Sequence, residues 1–431
     1  MKPMIEKRKT AVANGVALHY INDLKYKTNY LNIYFSLPLT SENTTKMSLL
    51  AKVIKRGSKT FPTMASLNSA LDMNYSSSIT LSSSKEGETA VFMMGISTLK
   101  NDFALEGEDI FVKALDIAFD LLMNPLTEEG KFKEEYFESE KKNLRDSILS
   151  QINNKAAYAR MRFISAMCQG EPFAVNGEGD LEVLEKTDNA SLFDFWKYLL
   201  KSAECHVYFV GNEKEERIKE LLRSRFEKTL RLPVSIPETQ IIFKENNKDV
   251  TEELDIAQAH LFVGFRTPVT YSHPDYLKFV LLNMVLGGDV SSKMFMNLRE
   301  KMSLCYTCYS SLDGSKGILS AYAGIDPENK EKTLDAFYKE LDNIKEGKVS
   351  AEELEDAKKA YVNRMREIAD NPSLLPAWFH LRLNAEGRDP ALDAEEIKKL
   401  TLDDVISAAK NIKLDTVYFL TKVNEKLEMR N

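Results

Sequence analysis

Two short stretches alternate apolar and polar residues, Leu31–Leu39 (LNIYFSLPL) and His260–Arg266 (HLFVGFR). Both read as half-buried strands, because successive strand side chains point to opposite faces. A helical segment that runs into glycine follows each one, Met47–Gly57 in the first half and Tyr276–Gly288 in the second. Further on, each half predicts two amphipathic helices in tandem. They are Asp109–Pro125 and Glu134–Ile148, then Glu331–Ile344 and Ala351–Met365. Each half closes on a strand with the same tripeptide, Val207-Tyr208-Phe209 and Val417-Tyr418-Phe419, 210 residues apart. Leu115-Asp116 recurs 219 residues on as Leu334-Asp335, and Lys141-Lys142 recurs 217 residues on as Lys358-Lys359. One such match carries little weight, but a set in the same order predicts an internal duplication: two homologous α+β domains of about 200 residues each.

The segment Arg231–Asp255 is rich in Pro, Glu, Asn and Lys, so its first part reads as a connector. The expected division is 1–230, a linker at 231–245, and 246–431, with Ile241-Ile242-Phe243 opening the second sheet. The chain has 431 residues, enough for two or three domains, and a formal net charge of −7. Such mild acidity argues against a nucleic-acid partner, which calls for a concentrated basic face. Apolar runs such as Phe279–Leu286 fall far short of the roughly 20 residues needed to span a bilayer. No apolar stretch follows the basic residues at the start, and four cysteines form no disulfide framework. The expected setting is cytoplasmic and reducing.

The five histidines, His19, His206, His260, His273 and His380, include no i, i+4 pair of the kind a helical zinc site needs. Each is expected to be structural or solvent-facing. Cys305 and Cys308 form a C-x-x-C string within a predicted strand, where residues three apart face opposite ways, so they read as packing cysteines. There is no Gly-rich phosphate loop and no G-x-S-x-G elbow, and Gly170–Gly179 reads as a structured surface loop. From Gly287 to Tyr309 the sequence predicts a glycine turn, a short helix and a strand, with Arg299 late on the helix and Tyr306 seven residues on. An arginine and a tyrosine on adjacent rigid elements could bind a peptide carbonyl or carboxylate. A surface arginine beside a core tyrosine is the other reading of the same spacing.

The run Gly287-Gly288 … Ser291-Ser292 … Met294-Phe295 … Leu298-Arg299-Glu300-Lys301 … Ser303-Leu304 … Tyr306 resembles the C-terminal-domain signature of the insulinase/pitrilysin metallopeptidases, with the mitochondrial processing peptidase type and its bacterial counterparts as close relatives. The resemblance covers nearly the whole chain. Gly57-Ser58-Lys59-Thr60-Phe61-Pro62 looks like the end of the family's zinc-helix stretch, Leu67–Asp72 like the helix after it, and Phe137–Ile148 like the later helix. It implies two homologous α/β-sandwich domains of the LuxS/processing-peptidase-like metallohydrolase fold, forming a clamshell. Family members bind zinc through His-x-x-Glu-His on the first helix and a glutamate from the later one. Here Ser48 and Lys52 stand where the histidines belong, Ala51 replaces the glutamate, and the third ligand falls near Asp146. A lysine ammonium repels a divalent cation, so the resemblance implies no catalytic zinc in this chain and no hydrolysis by it alone. Arg299 and Tyr306 match the family's arginine–tyrosine pair, which engages the substrate carbonyl from across the chamber.

The expected function is a non-zinc, catalytically incomplete subunit that supplies Arg299 and Tyr306 to a heterodimer, with zinc held by a homologous partner and an unfolded peptide as substrate. An inactive peptide-binding or scaffold homologue is the alternative. A self-sufficient enzyme with an unrelated site is a third reading.

Overall fold

A computed structural model describes residues 5–423. The first half runs β1 (Lys7–Ala13), β2 (Val16–Asn22), β3 (Thr28–Pro38), α1 (Ser41–Ile54), α2 (Met64–Met73), β4 (Ser78–Glu86), β5 (Thr89–Leu99) and α3 (Ile110–Met123). A small hairpin, β6 (Thr127–Glu128) and β7 (Lys131–Phe132), leads to α4 (Glu134–Ser150), α5 (Lys155–Met167), α6 (Leu181–Lys186), α7 (Asn189–Ser202), β8 (Glu204–Gly211) and α8 (Glu215–Phe226). The second half runs β9 (Lys248–Leu254), β10 (Ala259–Arg266), α9 (Tyr276–Asn283), β11 (Cys305–Asp313), β12 (Ile318–Ile325), α10 (Lys330–Lys345), α11 (Ala351–Ala369), α12 (Leu375–Leu381), α13 (Pro390–Lys399), α14 (Leu402–Lys410) and β13 (Lys413–Lys422).

The duplication read from the sequence is a duplication of topology. The first sheet has the order β1-β2-β8-β3-β5-β4, and the second, from its other edge, β9-β13-β10-β12-β11. Apart from the added edge strand β1, the two orders match. In each half the first shared strand runs parallel to the last strand, β2 with β8 and β9 with β13, and the other neighbours are antiparallel. The repeated Val-Tyr-Phe lies on the equivalent strands β8 and β13.

The helices on one face of each sheet belong to its own half. On β8, Val207 and Phe209 pack with Leu50 of α1 and Leu115 of α3. The opposite faces are covered by exchange. Helix α5 of the first half lies on β10 and β13, with Phe163 stacked on Phe262 at 5.1 Å between ring centroids. In return, α12 of the second half lies on β8, and His380 stacks on Tyr34 at 4.1 Å. Alternation along the strands makes this possible, since Tyr208 and Val210 point away from the face that holds Val207 and Phe209.

The connector is docked rather than loose. Arg231 is buried and donates to the carbonyls of Leu200 and Ala203. Thr239 accepts from the Glu88 N–H at 3.4 Å, and the Gln240 carbonyl accepts from Lys316 Nζ at 2.6 Å. Ile241-Ile242-Phe243 belongs to this connector and not to the second sheet, which starts at Lys248. The reason is local: Asn247 has φ of +50°, a left-handed residue that ends the extended run ahead of β9.

A cluster of buried charge ties the halves together at the end of β10. Arg266 Nε donates to Asp415 at 2.9 Å, and its Nη2 to Glu171 at 2.6 Å and to the Met167 carbonyl at 2.8 Å. Lys316 bridges the same Glu171 at 2.8 Å and Glu88 at 2.6 Å.

Close packing at Gly287 sets the spacing between α9 and β11. A Cβ there would lie 2.6 Å from the backbone nitrogen of Ser310. Gly287→Ala is expected to destabilise the chain by about 1–3 kcal/mol through overpacking, read as a lower urea midpoint.

Candidate functional site

Helix α1 begins where Thr40 accepts from the Asn43 N–H at 3.0 Å, six residues ahead of the start expected from periodicity. It carries Ser48, Ala51 and Lys52 within one turn of the same helix. Ser48 is buried, and its hydroxyl shares a 2.8 Å hydrogen bond with Ser83 of β4. Ala51 is buried and offers no donor atom, and Lys52 is half-buried. One turn on, Arg56 pairs with Glu140 of α4 at 2.9 Å, which joins the two helices by charge. Asp146 lies two turns beyond Glu140 and is exposed. Among the described residues, no three His, Cys, Asp or Glu side chains gather as a metal site. A committed hydroxyl, a methyl group and an ammonium do not make a donor set for zinc.

At the corresponding place in the second half, α9 continues as a π-helical turn, Met284–Gly288, and a second π-helical stretch, Met294–Lys301, leads into β11. Such widened turns recur where a helix is reshaped around a site. The segment is pinned on both sides. Lys293 donates to Glu353 of α11 at 2.9 Å, and the Ser310 hydroxyl to Asn283 Oδ1 of α9 at 2.8 Å.

Strand β11 is an edge strand, paired with β12 alone. Its register slips between Cys305, opposite Ile325, and Thr307, opposite Gly324, so Tyr306 has no cross-strand partner. A bulge of this kind re-aims a side chain. Tyr306 is 62% exposed, and its hydroxyl donates to Asp326 at 2.9 Å. That hydrogen bond raises the phenol's pKa and keeps it protonated. Arg299 lies at the end of the π-helical stretch, its guanidinium 4.5 Å from the centroid of Phe295 and 3.7 Å from the Glu300 carboxylate. Both side chains therefore lie at the edge-strand end of the second sheet, in place of the alternative of a core tyrosine.

The same bulge corrects the reading of the C-x-x-C string. Cys305 and Cys308 do not face opposite ways: the extra residue brings both to the buried side, where they pack in the second half's core as free thiols.

Three of the five histidines meet, which spacing along the chain could not show. His19 of β2 and His206 of β8 share a 3.0 Å hydrogen bond. His380 of α12 lies with its ring 5.9 Å from that of His206. His206 Nε2 reaches Glu204 at 2.9 Å, and His380 Nε2 lies 3.5 Å from Glu86. Burial holds His380 far below the usual imidazole range, at about 3, and pushes Glu86 up to about 7. The parallel pairing of β2 with β8 and the exchanged helix α12 bring these groups together. The remaining two are structural: His260 bonds the Tyr322 hydroxyl at 2.9 Å, and His273 Nδ1 accepts from the Asp275 N–H at 3.1 Å.

No helix among the described residues is long and apolar enough to cross a membrane. Residues 187–361 match the family described as Peptidase M16 inactive domain. Over 407 residues the chain is 28% identical to a Bacillus subtilis protein named probable inactive metalloprotease YmfF, covering 94% of this chain and 96% of that one. A conserved protein from Enterococcus faecalis superposes with a TM-score of 0.90 at 25% identity, covering 97% of this chain and 99% of that one. The fold is shared as well with a Pseudomonas fluorescens peptidase M16 inactive domain, at a TM-score of 0.78, 16% identity, and coverage of 97% and 99%. Fold and duplication agree with these likenesses: residues 187–361 match an M16-type inactive domain, and over nearly its whole length the chain is similar to a relative named as a probable inactive metalloprotease.

Proposed function

We propose that this chain is the zinc-less half of a two-chain peptidase, lending Arg299 and Tyr306 to a site whose metal is carried by a homologous partner with an intact His-x-x-Glu-His helix. The observation that carries this reading is the bulge at Tyr306. A phenol freed from strand pairing, 62% exposed, follows a half-exposed arginine on an edge strand, while Ser48, Ala51 and Lys52 on α1 offer a cation no ligands. An unfolded peptide meets the pair as an extended segment. Arg299 orients it through a carbonyl or carboxylate, and the Tyr306 hydroxyl, turning from Asp326, donates to the carbonyl oxygen as negative charge builds there.

The test mixes this chain with a zinc-bearing homologue and follows cleavage of an unstructured oligopeptide. The expected result is chelator-sensitive turnover in the mixture and none from this chain alone. Stoichiometric zinc and activity in the lone chain would overturn the reading. Micromolar peptide binding by the lone chain, with no gain in hydrolysis on mixing, would assign the scaffold role instead.

A further inference from the structure

A cavity of about 550 Å³ lies between the two halves, with neither α1 nor the Arg299–Tyr306 edge in its lining. The rim of the first sheet contributes Glu86, Glu204 and His206 to its wall, the connector Glu238, and the second half His380 and Arg382. We propose that this cavity is a binding site for a small organic cation, a protonated diamine or a ligand with equivalent ammonium groups, spanning the carboxylates of Glu86 and Glu204.

The charge balance points there. Three carboxylates line the cavity against one guanidinium, which lies against two aromatic rings and pairs with none of the three. Arg382 lies between the rings of Tyr271 and Trp378, 4.3 Å from each centroid, and donates to the Trp378 carbonyl at 3.3 Å. Glu204 and Glu86 have imidazole neighbours, His206 at 2.9 Å and His380 at 3.5 Å, but among the described residues no lysine or arginine forms an ion pair with either, or with Glu238. His380 is buried, is held neutral, and has an Nδ1 without a hydrogen-bond partner. If Nε2–H faces Glu86, that Nδ1 keeps a lone pair, an acceptor suited to an ammonium N–H. Glu86 titrates near 7 because burial penalises its charge and no cation compensates.

The other half shows how the fold deals with such a carboxylate when no ligand is needed. On the second sheet, Glu252 faces the exchanged helix α5, which supplies Arg162 at 2.9 Å and the Tyr158 hydroxyl at 2.6 Å, while Tyr418 adds a third bond at 2.8 Å. Tyr208, the equivalent of Tyr418 in the repeated Val-Tyr-Phe, has a hydroxyl with no partner. The exchanged helix over the first sheet brings a neutral histidine and no lysine or arginine ion pair to Glu86, and the cavity stays open. A compact metal ion fits less well, since no three ligating side chains converge among the described residues and the volume exceeds what one ion fills.

The test uses the full chain alone and is thereby independent of the peptidase reading. Calorimetric titration with 1,4-diaminobutane at pH 7.5 is expected to give one saturable site, with no saturation by the neutral analogue 1,4-butanediol. Glu86→Gln and Glu204→Gln should each weaken binding about tenfold or more, the loss of one charge-assisted contact. Should Glu86→Gln fail to fold, Glu204→Gln, whose side chain is 41% exposed, carries the comparison. Absence of saturable binding, equal binding of the diol, or diamine affinity unchanged in the variants would overturn the proposal. So would stoichiometric binding of Zn²⁺ or Mg²⁺ that both variants abolish, since that marks a metal site.

Discussion

Arg266→Met should lower stability by about 3–5 kcal/mol, the usual cost of breaking a buried ion pair by removing one partner. Arg266 lies in the middle of the molecule, its side chain 2% exposed, and Asp415 opposite is 3% exposed. The substitution strands Asp415 with a single hydrogen bond from Thr416, whereas Glu171 keeps Lys316 at 2.8 Å. Urea unfolding measures the loss. Arg266→Met combined with Asp415→Leu should recover at least half of it, because removing both charges relieves the desolvation that removing one leaves uncompensated. A single variant within 1 kcal/mol of the parent would refute the assignment of this cluster as the bond between the halves. Acid gives a second reading. Burial alone would raise the Glu171 carboxyl, but Arg266 and Lys316 outweigh it and hold it below the usual carboxylate range. A depressed carboxyl contributes fully above its unfolded value, near 4.5, and the contribution fades as pH falls through the lower folded value. The gap between parent and variant should therefore narrow below about pH 4.

What the sequence disclosed follows from the range of each signal. Elements held by their own periodicity were legible: α3, α4, α10 and α11 fall where amphipathic spacing predicts them, and β3, β8, β10 and β13 where apolar runs do. The duplication was legible because it is a property of order, and the matching strand orders bear it out. What depends on a neighbour far along the chain was not. Nothing near His380 in sequence says that α12 will cross to the other half's sheet, so the meeting of His19, His206 and His380 stayed hidden. The Ile241-Ile242-Phe243 triplet has strand-like composition, but a left-handed Asn247 separates it from β9. Two-residue alternation misplaced Cys305 and Cys308 because a one-residue slip inverts the face of everything beyond it. That Ala51 offers no ligand atom is a matter of which atoms are present, and no fold changes it.

The slip at Tyr306 also governs the second large effect. In the mixture with a zinc-bearing homologue, Tyr306→Phe should reduce kcat about 100-fold and leave KM nearly unchanged, because the lost hydrogen bond exists chiefly while the carbonyl carries negative charge. The ring has no cross-strand partner and only its hydroxyl is engaged, with Asp326, so the phenylalanine variant keeps the fold and isolates that hydroxyl. Arg299→Ala should act differently, raising KM for the peptide more than it lowers kcat, because a charged fork on a carbonyl or carboxylate is made in the bound substrate as well as in the transition state. Arg299→Lys should recover little, since one ammonium cannot reproduce the fork. The split between the two variants is the diagnostic. Equal changes in kcat and KM for both would mean that the edge strand merely contacts the partner, and unchanged turnover in the double variant would remove this pair from the chemistry altogether.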